Sequence, residues 1–230
     1  VALIGCMIGA LLCGSLADRI GRKKLLIIAS LIFLISSAAV GVSKGFMFFL
    51  ASRFVSGVGI GLASGLSPMY IAEVAPTSVR GKLVSLNQLT IVFGILAAQI
   101  TNWLIAEDIP SGMGTAEIAA SWNGQMSWRW MFWAAMVPSA LFFLFALFIP
   151  ESPRWLALKG RDSSSLDILT KVGGRDYATK ELESIKSTNI IANTQGGLKI
   201  LFSNPYRKVL LLGVVIAIFQ QWCGTNVIFN

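Results

Sequence analysis

Six long apolar runs constrain the fold of this 230-residue chain more than any other feature. They cover roughly residues 1–17, 25–43, 46–68, 83–106, 130–149 and 209–229. A helix needs about 20 apolar residues to cross the hydrocarbon core of a bilayer, and each run is close to that length. Barrel strands would instead alternate apolar and polar residues over shorter segments. The sequence therefore predicts an all-α membrane protein with six transmembrane helices.

Composition supports the membrane prediction and excludes several functions. The chain is 55% hydrophobic and only 13% charged, a balance that is rare in soluble domains. Its net charge of +8 could indicate nucleic-acid binding, but the charges gather in three short connections, so we expect no nucleic-acid partner. The chain has no His, and its three Cys residues lie at no metal-ligand spacing. With no nucleophile–base pair, metal cage or nucleotide loop, the sequence predicts no enzyme, metal or cofactor.

Basic residues in the connections predict the orientation of the helices. Residues 18–24 carry four basic side chains, 76–82 carry two, and 151–208 carry a basic excess, so these segments should be cytoplasmic. Residues 107–128 contain three acids and no Lys or Arg, so this loop and the short turn near Lys44 should lie outside. The alternation is consistent across all six spans. The chain should therefore be a multi-pass membrane protein.

The runs divide the chain into three predicted parts. Residues 1–150 form a transmembrane bundle, 151–208 a cytoplasmic linker of short amphipathic helices, and 209–230 the first helix of a second bundle. Both ends fall inside apolar runs, and residue 1 is Val, so we expect the sequence to be part of a longer protein. Oligomeric state is left open by the sequence.

Polar side chains interrupt the last apolar run. Gln220, Gln221 and Asn226 fall at membrane depth, where an amide is costly unless it is hydrogen-bonded. On a straight helix they point in different directions, and they converge only if the helix bends or opens, for which Gly224 offers a place. One interpretation is a polar binding patch on a broken helix. The other is hydrogen bonding between helices, which is common in membrane bundles.

Two further features lie inside the predicted spans. Arg53 interrupts the third run, and it either reaches the outer interface or pairs with a carboxylate from a part of the protein outside this sequence. Glycines recur four residues apart in the first and third runs, at Gly5 and Gly9 and at Gly57 and Gly61. Such stripes of small residues favour close packing of helix backbones.

Five motifs, in order along the chain, carry a resemblance to a known family. They read GSLADRIGRKK at 14–24, RFVSGVGIG at 53–61, PMYIAE at 68–73 followed by RGK at 80–82, PESPRWL at 150–156, and QQ at 220–221. The first resembles the loop between the second and third helices of the major facilitator superfamily. Together the motifs resemble the sugar porter family within it. The resemblance implies a partial major facilitator fold that covers helices two to seven of twelve.

The resemblance also implies a function. It indicates transport of a monosaccharide by alternating access, with protons as a coupled partner, and it implies that the protein resides in the cytoplasmic (plasma) membrane. The alternatives are a facilitative uniporter and a transporter-like sugar sensor. A drug–proton antiporter of the same superfamily would be expected to lack the Gln220-Gln221 pair and the PESPR run.

The family's site residues carry over by position. The expected sugar contacts are Gln88, Gln220, Gln221 and Asn226. Amides suit a sugar because they both donate and accept hydrogen bonds without bearing charge. Some relatives have a second Gln where this chain has Ile95, so the identity of the sugar is left open.

Charged residues at the inner face resemble a cytoplasmic salt-bridge network that acts as a latch between conformations. The matching positions are Asp18, Arg19, Arg22, Glu73, Arg80, Glu151 and Arg154. By the same resemblance Arg53 is the candidate residue for proton coupling. It would form an ion pair with a carboxylate in helix one.

Overall fold

The computed structural model describes residues 1–108, 114–194 and 204–222, and every regular element in these ranges is a helix. The long helices are α1 (Ala2–Ile20), α2 (Arg22–Val42), α3 (Phe46–Val74) and α4 (Thr77–Ile105). After them come α5 (Thr115–Ala120), a π-helical turn (Asn123–Ser127), α6 (Trp128–Ala134) and α7 (Met136–Phe148). The last elements are α8 (Pro153–Leu158), α9 (Asp162–Gly173), α10 (Arg175–Thr194) and α11 (Asn204–Trp222).

Five of the six predicted spans are confirmed by the length and composition of the helices. They are Ala2–Ile20, Arg22–Val42, Phe46–Val74, Thr77–Ile105 and Asn123–Phe148. For the sixth, the described apolar helix Leu210–Phe219 is shorter, and residues 223–229 lie outside the described part of the chain. The chain is therefore an integral membrane protein of the all-α class.

The third helix is longer than its apolar run. The run was predicted to end near residue 68, but α3 continues through Pro68 to Val74. A proline removes one backbone hydrogen bond and kinks a helix without necessarily ending it. This extension places Glu73 in the last turn of α3, at the predicted inner end of the span.

The glycine stripes bring α1 and α3 into backbone contact, which confirms the packing interpretation. A Cβ atom on Gly5 or Gly9 would overlap the carbonyl oxygen of Phe54 or Val58 on α3. Conversely, a Cβ atom on Gly61 would overlap a carbonyl oxygen of α1. Small side chains thus let the two backbones approach to a distance that no larger residue permits.

A buried cluster joins α1, α2 and α3 near the predicted cytoplasmic side. Its members are Cys13, Ala17, Leu25, Leu26, Ala29, Leu62 and Leu66. α2 also packs against α6 and α7, which together form the fifth span. This span breaks at Ala135, three residues before Pro138, whose missing N–H leaves the carbonyl of Ala134 without its helical donor.

Two compact units divide the described residues differently from the sequence-based boundaries. The first is residues 1–182, so it includes α8 and α9 with the transmembrane helices, and the second is residues 183–230. In the first unit, α4 has no buried residue along its whole length. The division at 150 and 208 stays a prediction.

Candidate functional site

Arg22 is the centre of a charged cluster at the predicted inner end of the first unit. Its Nε and Nη2 atoms donate to the two carboxylate oxygens of Glu73 at 2.9 and 2.8 Å. Nη1 donates to the carbonyl oxygen of Ala17 at 3.0 Å, and Nη2 also lies 3.0 Å from the carboxylate of Asp18. The Arg22 and Glu73 side chains are 5% and 9% exposed, whereas Asp18 is 69% exposed. The Arg22–Glu73 pair therefore makes the larger electrostatic contribution to stability, because exposed ion pairs contribute little.

Glu151 binds the same region through backbone groups and not through an ion pair. Its Oε1 atom accepts hydrogen bonds from the N–H groups of Arg22 at 2.9 Å and Lys23 at 3.0 Å. These groups open α2, and the first N–H groups of a helix have no partner within it. The N-terminus also carries the positive end of the helix dipole, which favours a carboxylate. Glu151 thus caps α2 from the segment that precedes α8.

Ser152 and Trp155 complete the cluster, and the sequence reasoning did not identify either as a site residue. The Ser152 hydroxyl donates to Oε2 of Glu73 and also accepts from the N–H of Trp155, which caps α8. The Trp155 indole N–H donates to the carbonyl oxygen of Asp18 at 3.0 Å. The signal was in the sequence, since a Ser before Pro153 is a helix N-cap pattern.

Three residues of the predicted network take no part in an ion pair with a described residue. Arg19 and Arg154 are exposed. Arg80 makes a long contact of 3.4 Å from Nη2 to the carbonyl oxygen of Ala75, and its Nε is buried with no hydrogen-bond acceptor among the described residues.

Arg80 also lies close enough to Tyr177 of α10 to affect its ionisation. Burial raises the pKa of the Tyr177 phenol, the Glu181 carboxylate raises it further, and the Arg80 guanidinium lowers it. Arg80 is therefore a partly buried cation beside α10.

Arg53 faces a cavity of about 340 Å³ between α2, α3, α4 and α6. Its polar lining includes Ser37, Ser56 and Asn102. The Arg53 guanidinium carbon lies 5.0 Å from the ring centre of Phe132, a cation–π contact that the sequence reasoning missed when it found no partner in the neighbouring spans. Among the described residues no carboxylate pairs with Arg53.

The four expected sugar contacts are described to different extents. Gln88 is exposed on α4, on the helix that buries no residue in the first unit. The backbone of Gln220 and Gln221 lies in the last turn of α11, in the second unit. Asn226 lies outside the described residues. Their convergence on one site stays a prediction.

The family model described as "Sugar (and other) transporter" matches residues 1–230. The chain belongs to this sugar transporter family. Among curated relatives, the arabinose-proton symporter of Bacillus subtilis (strain 168) is 40% identical over 226 residues, which cover 98% of this chain and 47% of the relative. The D-xylose-proton symporter of Escherichia coli (strain K12) is 38% identical over 245 residues, which cover 99% of this chain and 48% of the relative.

Solved structures of the same family share the fold. The major facilitator superfamily proton:xylose symporter XylE, bound to 6-bromo-6-deoxy-D-glucose, is 37% identical with a TM-score of 0.86. That match covers 99% of this chain and 49% of XylE. The sugar transporter chain therefore has the major facilitator fold over its described part, and it spans about half the length of the curated relatives it matches.

Proposed function

We propose that this chain supplies helices of a proton-coupled monosaccharide carrier that works by alternating access. Relatives named as arabinose- and xylose-proton symporters match it over almost its whole length at 38–40% identity, and this observation supports the proposal most strongly. Carriers of this kind need no covalent chemistry, only a site that opens to each side in turn. The bilayer, a sugar and protons are the proposed partners.

The proposed sugar site consists of Gln88, Gln220, Gln221 and Asn226. Sugar hydroxyls that leave water need partners that both donate and accept, and uncharged amides provide both functions. The exposure of Gln88 on α4 supports the proposal, since a contact residue must reach substrate. An amide left unsatisfied at membrane depth would be costly, which favours a ligand or a second helix as its partner.

The proposed latch at the inner face divides into two groups of residues. Arg22, Glu73 and Glu151, with the exposed Asp18, hold the ends of α1, α2, α3 and the α8 segment together within one unit, so we assign them to the stability of that unit. The ion pairs that form in one conformation and break in the other would then be made by Arg19, Arg80 and Arg154. The buried Nε of Arg80 supports this division, because a buried guanidinium group requires an acceptor. Each pair shifts the conformational equilibrium only by its difference in energy between the two states.

Arg53 is the proposed coupling residue. It is a cation inside a span, in a cavity with hydroxyl and amide groups, and its described contact is an aromatic ring. A carboxylate that gains and loses a proton beside this guanidinium would link protonation to the conformation of α3.

Flux measurements on the full-length protein test the proposed function. Radiolabelled pentoses and hexoses would be presented to proteoliposomes with and without an inward proton gradient. We expect uptake above equilibrium for at least one sugar, and loss of that accumulation when a protonophore is added. Uptake that only equilibrates would support a uniporter, and binding without flux would support a sensor; either result contradicts symport.

A further inference from the structure

Two cations stand at the predicted outer ends of the spans, where the positive-inside pattern disfavours them. Lys44 lies in the turn between α2 and α3, and Arg129 lies in the first turn of α6. Neither forms an ion pair with a described carboxylate. The carboxylate of Glu117, on α5, instead accepts a hydrogen bond from the N–H of Gly114.

Arg129 is held in a fixed orientation, while Lys44 is free to adjust. The Arg129 Nη1 donates to the carbonyl oxygen of Gly41 at 2.6 Å, and its Nε donates to that of Gln125 at 3.3 Å. Its guanidinium carbon also lies 4.4 Å from the ring centre of Trp128. These contacts engage the Nε and Nη1 atoms of Arg129, and the exposed Lys44 lines the same groove.

The same two cations line two adjoining grooves. One groove, of about 420 Å³, is lined on its apolar side by Phe46, Phe49 and Phe132. The other, of about 380 Å³, is lined by Val42, Met126 and Trp133, and both include Lys44 and Arg129 in their walls. Lys44 and Arg129 thus form a positively charged ridge that belongs to the walls of both apolar grooves.

Aromatic side chains place this ridge at the level of a membrane interface. Phe46 is 70% exposed and Trp130 is 47% exposed, and the Trp130 and Trp133 rings pack edge-to-face with centres 5.4 Å apart. Exposed aromatic residues concentrate where the hydrocarbon core meets the headgroups.

We propose that this surface binds a membrane phospholipid, with its phosphodiester on Lys44 and Arg129 and its two acyl chains in the two grooves. A guanidinium and an ammonium suit a phosphate, since both donate charge-assisted hydrogen bonds to its oxygens. An inorganic phosphate would leave the grooves unfilled, and an uncharged glyceride would leave the cations unpaired. The proposal depends on membrane embedding and not on the proposed transport.

Lipid titration followed by native mass spectrometry tests the site on the full-length, delipidated protein in detergent. The probe is dihexanoyl phosphatidylglycerol, compared with dihexanoylglycerol, which lacks the phosphate. Lys44→Gln should weaken phosphatidylglycerol binding about fivefold, the loss of one surface charge contact, and Lys44→Gln with Arg129→Gln should weaken it further. Lys44→Arg should retain binding.

A charge-matched control and a competitor make the test decisive. Lys180→Gln removes the same charge from an exposed position of α10 and should leave the affinity unchanged. Since Lys44 is exposed in a turn, its replacement should not affect folding. Equal affinity of Lys44→Gln and the parental protein would overturn the proposal. Equally tight dihexanoylglycerol would do so as well, as would displacement of the lipid by inorganic phosphate at the lipid's own concentration.

Discussion

Arg22 and Glu73 form a two-pronged, almost fully buried ion pair although 51 residues separate them in the chain. The pair joins the first turn of α2 to the last turn of α3. Both helix ends lie at the predicted cytoplasmic side, so the pair fixes two antiparallel spans at one end. The same guanidinium also contacts the exposed Asp18, which makes a comparison of buried and exposed partners possible within one cluster.

Glu73→Gln should destabilise the protein far more than Asp18→Asn. Loss of the Glu73 charge leaves the exposed Asp18 as the remaining charge partner of the buried Arg22 guanidinium, and breaking a buried pair in this way costs up to about 3–5 kcal/mol. Loss of the exposed Asp18 charge costs about 0–1 kcal/mol, because water screens that pair. The melting temperature of each variant is measured in detergent, with unfolding monitored by size-exclusion chromatography. Equal shifts in melting temperature would show that the Arg22–Glu73 pair carries no special weight.

Glu151→Ala should loosen the start of α2 without affecting the rest of the helix. Its carboxylate accepts from the first two N–H groups of α2, and loss of a helix cap costs about 0.5–2 kcal/mol. Hydrogen–deuterium exchange should therefore accelerate in peptides that contain Arg22 and Lys23. Lys171→Gln, at an exposed position of α9, serves as the control, and unchanged exchange in Glu151→Ala would contradict the capping role.

Gly9→Ala should destabilise the first unit, whereas Gly14→Ala on the same helix should not. A methyl group on Gly9 would overlap the carbonyl oxygen of Val58, and overpacking of this kind costs about 1–3 kcal/mol. Nothing lies within 4 Å of the equivalent position on Gly14, so alanine there should gain about 1 kcal/mol of helix propensity. Melting temperatures of the two variants should shift in opposite directions. A shift of the same sign and size in both would remove the argument for close helix contact.

Apolar length was sufficient to predict five of the six spans, because bilayer thickness acts on each helix separately. Contacts between distant segments were harder to predict. The network residues were selected by resemblance, yet only Asp18, Arg22, Glu73 and Glu151 come together in the described structure. Glu151 accepts hydrogen bonds from backbone N–H groups, and no pattern of charged residues reveals a backbone donor. The glycine spacing indicated close packing, but only coordinates pair α1 with α3.

Arg53 shows a different limit of the sequence. Because Arg53 lies inside a span, the sequence predicts that its charge needs a partner. A search for carboxylates does not find Phe132, which is apolar and 79 positions away. An aromatic ring offers a weaker attraction than a carboxylate, so it does not replace the charge partner that the proposed coupling requires. Pro68 is a second case, since a proline that usually ends a helix lies inside α3.

Arg80→Ala should change the kinetics of sugar exchange more than the equilibrium affinity for sugar. Arg80 lies beside Tyr177 of α10 at the predicted inner face, eight residues or about two helical turns before Gln88 on α4, so its loss should alter the balance between conformations without removing a sugar contact. Counterflow rates and equilibrium binding of a transported sugar measure the two quantities. Lys82→Ala removes the same charge two residues away, from an exposed position, and should leave both unchanged. A large loss of affinity with normal exchange would contradict the latch.

Gln88→Ala should reduce sugar uptake about tenfold or more, because each sugar hydroxyl that loses its partner costs about 1–3 kcal/mol. Thr90→Val provides the control on the same helix: the Thr90 hydroxyl donates to the carbonyl oxygen of Leu86 and is satisfied without a ligand. Gln221→Ala should weaken uptake in the same direction if the two amides bind one substrate. Membrane insertion of each variant is measured by cell-fractionation immunoblotting, so that a folding defect is separated from a binding defect. Parental uptake by Gln88→Ala at normal expression would remove Gln88 from the proposed site, because a contact amide cannot be deleted without leaving a dehydrated hydroxyl unpaired.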